Sequence, residues 1–91
     1  MELNEKSCPA LARGVRLQTD SRTGEPLLLF PEGVLFLSET AHQILSRCDG
    51  RTTVAAVATL LAEEYEADTQ EIQQDVLDCV RDLYQRKLIA V

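Results

Sequence analysis

An α+β domain, with a three-stranded antiparallel sheet at its N-terminal end followed by three helices, is predicted by three features of this 91-residue sequence. Between residues 13 and 37 short apolar runs are separated by Gly- and Pro-containing stretches, the pattern of strands joined by turns. From Ser38 onward apolar residues recur at helical spacing. Polar caps and the break "DGRT" divide that half into three helices.

Residues 1–12 show no period and contain Pro9, so they are expected to be a flexible lead-in, with a single domain over 13–91. In "RGVRLQ", Val15 and Leu17 alternate with Arg16 and Gln18, which gives a strand with one wet face. The polar stretch "TDSRTGEP" leads to a second strand, Leu27 to Phe30. Pro31, Glu32 and Gly33 then suit a three-residue hairpin loop into a third strand, Val34 to Leu37. This hairpin, "LLLFPEGVLFL", is apolar on both faces. A sheet with one face in water normally alternates, so something besides water should cover part of it, either helices and the N-terminal segment or a binding partner.

Ser38 is the expected N-cap of the first helix, with Ala41, Ile44, Leu45 and Cys48 on its apolar face and Gly50 as its stop. Thr52 is the expected cap of the second, whose stripe is Val54, Val57, Ala58, Leu61 and Tyr65. Asp68 and Glu71 have capping-box spacing at the start of the third, which should end near Arg86. At about 100° per residue, Ile72, Val76, Cys79, Val80 and Leu83 of that helix share one arc, with Leu77 and Tyr84 on one flank. On the other flank Glu71, Asp75, Asp78 and Asp82 form an acidic stripe. It reads either as a solvated face or as a docking rail for a basic partner.

The net charge is −6, unevenly spread: seven acids face six bases over residues 1–51, and eight face three over 52–91. The acidic half argues against nucleic acid as a partner, because affinity for phosphates comes from basic side chains displacing counterions. The longest run of large apolar residues, "LLLF", is too short to cross a bilayer, and no signal peptide is readable, which leads to a cytoplasmic expectation. Cys8, Cys48 and Cys79 are widely spaced, His42 is the only histidine, and no metal site, cofactor or catalytic residue is expected. P-loop, GxGxxG, GxSxG and HExxH patterns are all missing. A binding module is expected rather than an enzyme.

Three strands and three helices suggest a winged helix-turn-helix arrangement, a frequent DNA reader. Here the reading helix would carry four acids, so fold alone does not decide function. The segments "ARGVRLQ", "LLLFPEG", "CDGRTTV" and "DVLDCVRDLYQRKLI", in that order and spacing, resemble the PqqD family across Pro9 to Val91. That family comprises small peptide-binding chaperones of pyrroloquinoline quinone (PQQ) biosynthesis.

The resemblance implies a recognition domain that binds the ribosomal precursor peptide PqqA and presents it to the radical S-adenosylmethionine enzyme PqqE, which holds the iron-sulfur clusters. It further implies that the peptide adds as a strand beside Val34, Leu35, Phe36 and Leu37 and lies against the third helix near Asp75, Leu77, Asp78 and Tyr84. Glu71 and Asp82 complete the acidic stripe as partner-docking candidates. The chain departs from the family pattern at Ser38, where Asn is common, and at Lys87, where Gly is common. Two other functions stand beside this one: a winged-helix DNA-binding regulator, and a self-associating domain that dimerises through its strand edge or a swapped hairpin.

Overall fold

Residues 3–91 are described by a computed structural model, with β1 at Ala10–Leu11, β2 at Arg16–Thr19, β3 at Pro26–Phe30 and β4 at Gly33–Phe36, then α1 at Glu39–Leu45, α2 at Val54–Tyr65, α3 at Thr69–Gln85 and β5 at Ile89–Ala90. The expected α+β class and three-stranded meander are present, with β2, β3 and β4 adjacent in that order and antiparallel throughout. Leu28 pairs with Leu17 on one side and Leu35 on the other, and these three turn toward the helices, with Leu28 fully buried. Because side chains alternate along a strand, Leu29, Val34 and Phe36 point the opposite way. The loop is one residue shorter than expected, since Gly33 already pairs with Phe30.

Each helix is capped by a side-chain oxygen accepting from otherwise orphaned N–H groups. Ser38 Oγ accepts from Ala41 N at 3.1 Å, and Asp68 Oδ1 accepts from Gln70 N at 2.8 Å and Glu71 N at 3.3 Å. For α2 the cap is Thr53 rather than Thr52, its Oγ1 accepting from Ala56 N at 3.1 Å. Asp49 takes the place expected of a simple turn: its carboxylate accepts from Arg51 N and Thr52 N, both at 2.8 Å, and these bonds hold its pKa below the usual value.

The first helix ends at Leu45, well before Gly50. Its last carbonyls are taken by Ser46 Oγ, donating to His42 O at 2.7 Å, and by the shorter-span bonds Arg47 N to Ile44 O and Cys48 N to Leu45 O, both at 3.1 Å. Cys48 therefore reaches the core from a turn, not from the helix.

The N-terminal lead-in differs most from expectation. Residues 1 and 2 lie outside the described part; from Leu3 onward the segment is fixed to the fold, which thus begins before Arg13. Ser7 O accepts from Val54 N at 2.9 Å and Glu5 O from Ala55 N at 3.0 Å, so this segment satisfies two donors at the start of α2. Pro9 is fully buried. β1 pairs with β5 in a second, two-stranded sheet that the sequence pattern did not indicate, Ala10 against Ala90 and Leu11 against Ile89. Gly50, at φ 81°, closes against the same segment, and a Cβ there would meet Ala10 Cβ at 3.4 Å.

α3 ends in a Schellman motif. Leu88 N donates to Leu83 O at 2.9 Å and Lys87 N to Tyr84 O at 3.0 Å, with Lys87 in the left-handed region at φ 64° where glycine is usual. The turn buries Leu88 and Ile89 and delivers β5 to β1. The core joins Leu28 to Ile44 and Leu45 of α1, Val54, Val57 and Leu61 of α2, and Val76, Val80 and Leu83 of α3. Each such side chain contributes about 1.5–3 kcal/mol by leaving water.

Candidate functional site

β4 is an edge strand, and hydrogen-bond parity shows what its edge offers. Leu37 N donates to Pro26 O at 2.9 Å, which makes that position a bonded pair. Bonded and non-bonded pairs alternate in an antiparallel ladder, so Leu35 and Gly33 also bond inward to β3. Val34 and Phe36 are left with their N–H and C=O groups directed away from the sheet. Their side chains are also open, Val34 being 47% and Phe36 54% exposed, with Leu29 at 37% beside them.

Between β4 and α3 lies a groove of about 190 Å³, lined by Leu35, Phe36 and Leu37 on one wall and by Cys79, Asp82, Leu83 and Arg86 on the other. Ser38, the cap of α1, and Ala41 within it also line the groove. The floor is apolar and the rim carries one ion pair, Arg86 Nε to Asp82 Oδ2 at 3.3 Å. Burial pushes the Cys79 thiol up to about 11, helped by the nearby Asp82 carboxylate, and burial pushes Cys48 up to about 12. Both thiols are thus neutral near pH 7 and act as small apolar groups. The arrangement has what an extended polypeptide needs: unpaired backbone groups beside an apolar trough.

The residues singled out from the sequence do not all meet here. Val34, Leu35, Phe36, Leu37 and Asp82 border the edge and groove. Asp75 lies on the same flank of α3 but lines a different depression, between the three helices. Leu77 and Tyr84 fall on the opposite flank: Leu77 packs partly against the core, and Tyr84 borders a shallow surface with Ile89 and Val91. They lie away from the groove because β4 runs past the Cys79 side of the helix.

Asp78 is exposed, accepting from Gln74 Nε2 at 2.9 Å and lying 3.8 Å from Arg81 Nη1. Glu71 and Asp75 have no ion-pair partner among the described residues. Cys79, Leu83 and Arg86 were not singled out as site residues. Their apolar or basic character gave no signal, although their one-flank spacing with Asp82 would have found them once β4 was placed.

A family model described as "Coenzyme PQQ synthesis protein D (PqqD)" matches residues 25–89. A protein of Xanthomonas campestris pv. campestris (strain B100) named "PqqA binding protein" is 40% identical over 87 residues, covering 96% of this chain and 95% of its own. Among solved structures, the solution structure of the PqqD truncation of Methylobacterium extorquens PqqCD, described as a functional and stand-alone RiPP recognition element, superposes with TM-score 0.87. It is 33% identical and covers 99% of this chain and 96% of its own. Lasso peptide synthetase B1 complexed with the leader peptide shares the fold, with TM-score 0.78 at 23% identity over 93% of this chain and 100% of its own. With the family match spanning most of the chain and a relative aligned along nearly all of it, this protein belongs to the PqqD family.

Proposed function

We propose that this chain serves PQQ biosynthesis in the cytoplasm by binding PqqA as an added strand on β4 and presenting it to PqqE. It contributes binding and positioning, and the chemistry belongs to the enzyme. The single observation that carries the reading is the juxtaposition of the outward Val34 and Phe36 backbone groups with the β4–α3 groove. A peptide paired there would alternate its side chains, placing every second one in the groove beside Leu37 and Cys79 and the others beside Val34 and Phe36. The apolar character of both hairpin faces follows, because the inner face meets the helices and the outer edge meets the peptide. The peptide-binding part of this reading is supported by a relative named "PqqA binding protein" and by a neighbour described as a RiPP recognition element.

A titration of ¹⁵N-labelled protein with PqqA tests it. Shifts should concentrate at residues 33–37 and along Cys79, Asp82 and Arg86. Shifts confined to the β2 edge or to α2 would refute it. The same edge is also where a second copy would pair, and the exposed Leu29, Val34 and Phe36 favour that competing use. Light scattering over a concentration series, with and without PqqA, separates the two: a dimer built on this edge should dissociate as peptide binds.

A further inference from the structure

A second depression, of about 230 Å³, opens between α1, α2 and α3. Its floor is Ile44, Leu61, Ile72 and Val76, and its rim carries Glu39 and Asp75. It is smaller than the cavities that enclose drug-sized ligands, about 300–1,000 Å³, and suits an inserted side chain better. No Lys or Arg lines it. Arg47 is not among its lining residues: its Nη1 donates to Gln43 O at 2.9 Å and to Gln43 Oε1 at 3.0 Å, and its charge is paired through Nη2 with Glu64. Glu39 accepts from Gln43 Nε2 at 2.9 Å, and His42 Nδ1 lies 4.0 Å from it. The pocket is therefore apolar inside and acidic at the mouth.

It is not a continuation of the groove. At about 100° per residue, Glu39, Thr40, Gln43 and Ile44 occupy the face of α1 opposite Ser38 and Ala41, which line the β4–α3 groove. α1 stands between the two openings, so a strand on β4 leaves this one free.

We propose that this depression docks the protein that acts on the presented peptide, through an apolar side chain flanked on the partner by Lys or Arg, while PqqA occupies β4. The proposal rests on the presentation reading above. Charge complementarity selects a basic partner, and the small apolar floor selects a single anchor in the manner of an interface hot spot.

The test uses the full chain, PqqA and PqqE, with affinities measured by calorimetry and association rates by stopped flow. Thr40→Trp places a bulky ring at the exposed mouth, and Glu39→Gln removes one rim charge with little change of shape. Thr40→Trp should weaken PqqE binding by about tenfold or more and leave PqqA affinity within about twofold. Glu39→Gln should lower the PqqE association rate at low salt and reduce its salt dependence. Unchanged PqqE binding in both variants overturns the pocket assignment while leaving presentation intact. Equal loss of PqqA affinity also overturns it, by merging the pocket with the peptide site. If the unmodified chain fails to bind PqqE with or without PqqA, both the assignment and the presentation reading fall. Native amide dispersion confirms folding, and Glu39→Gln decides alone if the tryptophan variant does not fold.

Discussion

Replacing Val34 by proline isolates the contribution of the strand edge. Val34 lies on β4 with its N–H directed away from β3, so proline removes a donor that the folded monomer does not use. An added peptide strand would lose one hydrogen bond, which costs about 0.5–1.5 kcal/mol where water reaches the orphaned carbonyl and about 1–3 kcal/mol where it is shut away from water. At about 1.4 kcal/mol per decade, the dissociation constant for PqqA should rise roughly tenfold, and up to about a hundredfold if the edge is dry. Leu35→Pro is the contrast, because Leu35 faces Leu28 in a bonded pair and is half-buried, so its loss unpicks the meander itself. Calorimetric titration with PqqA gives the affinities, and circular dichroism melts report the fold. Val34→Pro should weaken binding with a near-native melt, whereas Leu35→Pro should lower the melt first. A native Val34→Pro variant that binds PqqA within about twofold of the parent would sink strand addition at β4.

Lys87→Gly should raise Tm by roughly 2–8 °C in a thermal melt. A non-glycine residue in the left-handed region costs about 1–2 kcal/mol, partly offset by the unfolded-state freedom of glycine, and a small domain gains about 4–8 °C per kcal/mol; a lowered Tm would show that Lys87 is not strained. Cys79, with its thiol pushed up to about 11, should alkylate slowly at pH 8 and about tenfold faster per pH unit above that, and bound PqqA should slow it further. Its burial in the neutral form adds stability that is complete below the ordinary pKa of 9.0 and is lost as pH rises through about 11, so urea midpoints should fall across that alkaline window. Asp75→Lys combined with Asp78→Lys should slow association with a basic partner and flatten its salt dependence, with stability changed by only about 0.3–0.5 kcal/mol per exposed pair. Unaltered association rates for both PqqA and PqqE would make the stripe a solvated face.

Elements whose signals are local could be read from the residues alone. The meander follows from short apolar runs set between Gly- and Pro-containing stretches, with alternation marking only its first strand, and Ser38 and Asp68 cap their helices because a side-chain oxygen placed just before a helix has few other partners. The burial of Val76, Val80 and Leu83 follows from helical spacing alone. Features fixed by long-range pairing depend on groups that every residue carries. The carbonyls of Glu5 and Ser7 cap α2, and Ala10 and Leu11 pair with Ile89 and Ala90, through backbone atoms that leave no mark on composition. The end of α1 was likewise set by the core and by the bridge from Ala10 to Asp49, which carry Cys48 inward before Gly50 is reached.

The candidate site divides in the same way. Val34 to Leu37 could be found from their pattern, but which of them direct backbone groups outward depends on register against β3. Which flank of α3 faces that edge depends on how α1 and α2 fix the helix in rotation. That packing brings Cys79, Asp82 and Arg86 to the groove and turns Leu77 and Tyr84 away from it, because a helix buries one stripe and can show only one of its flanks to a given strand.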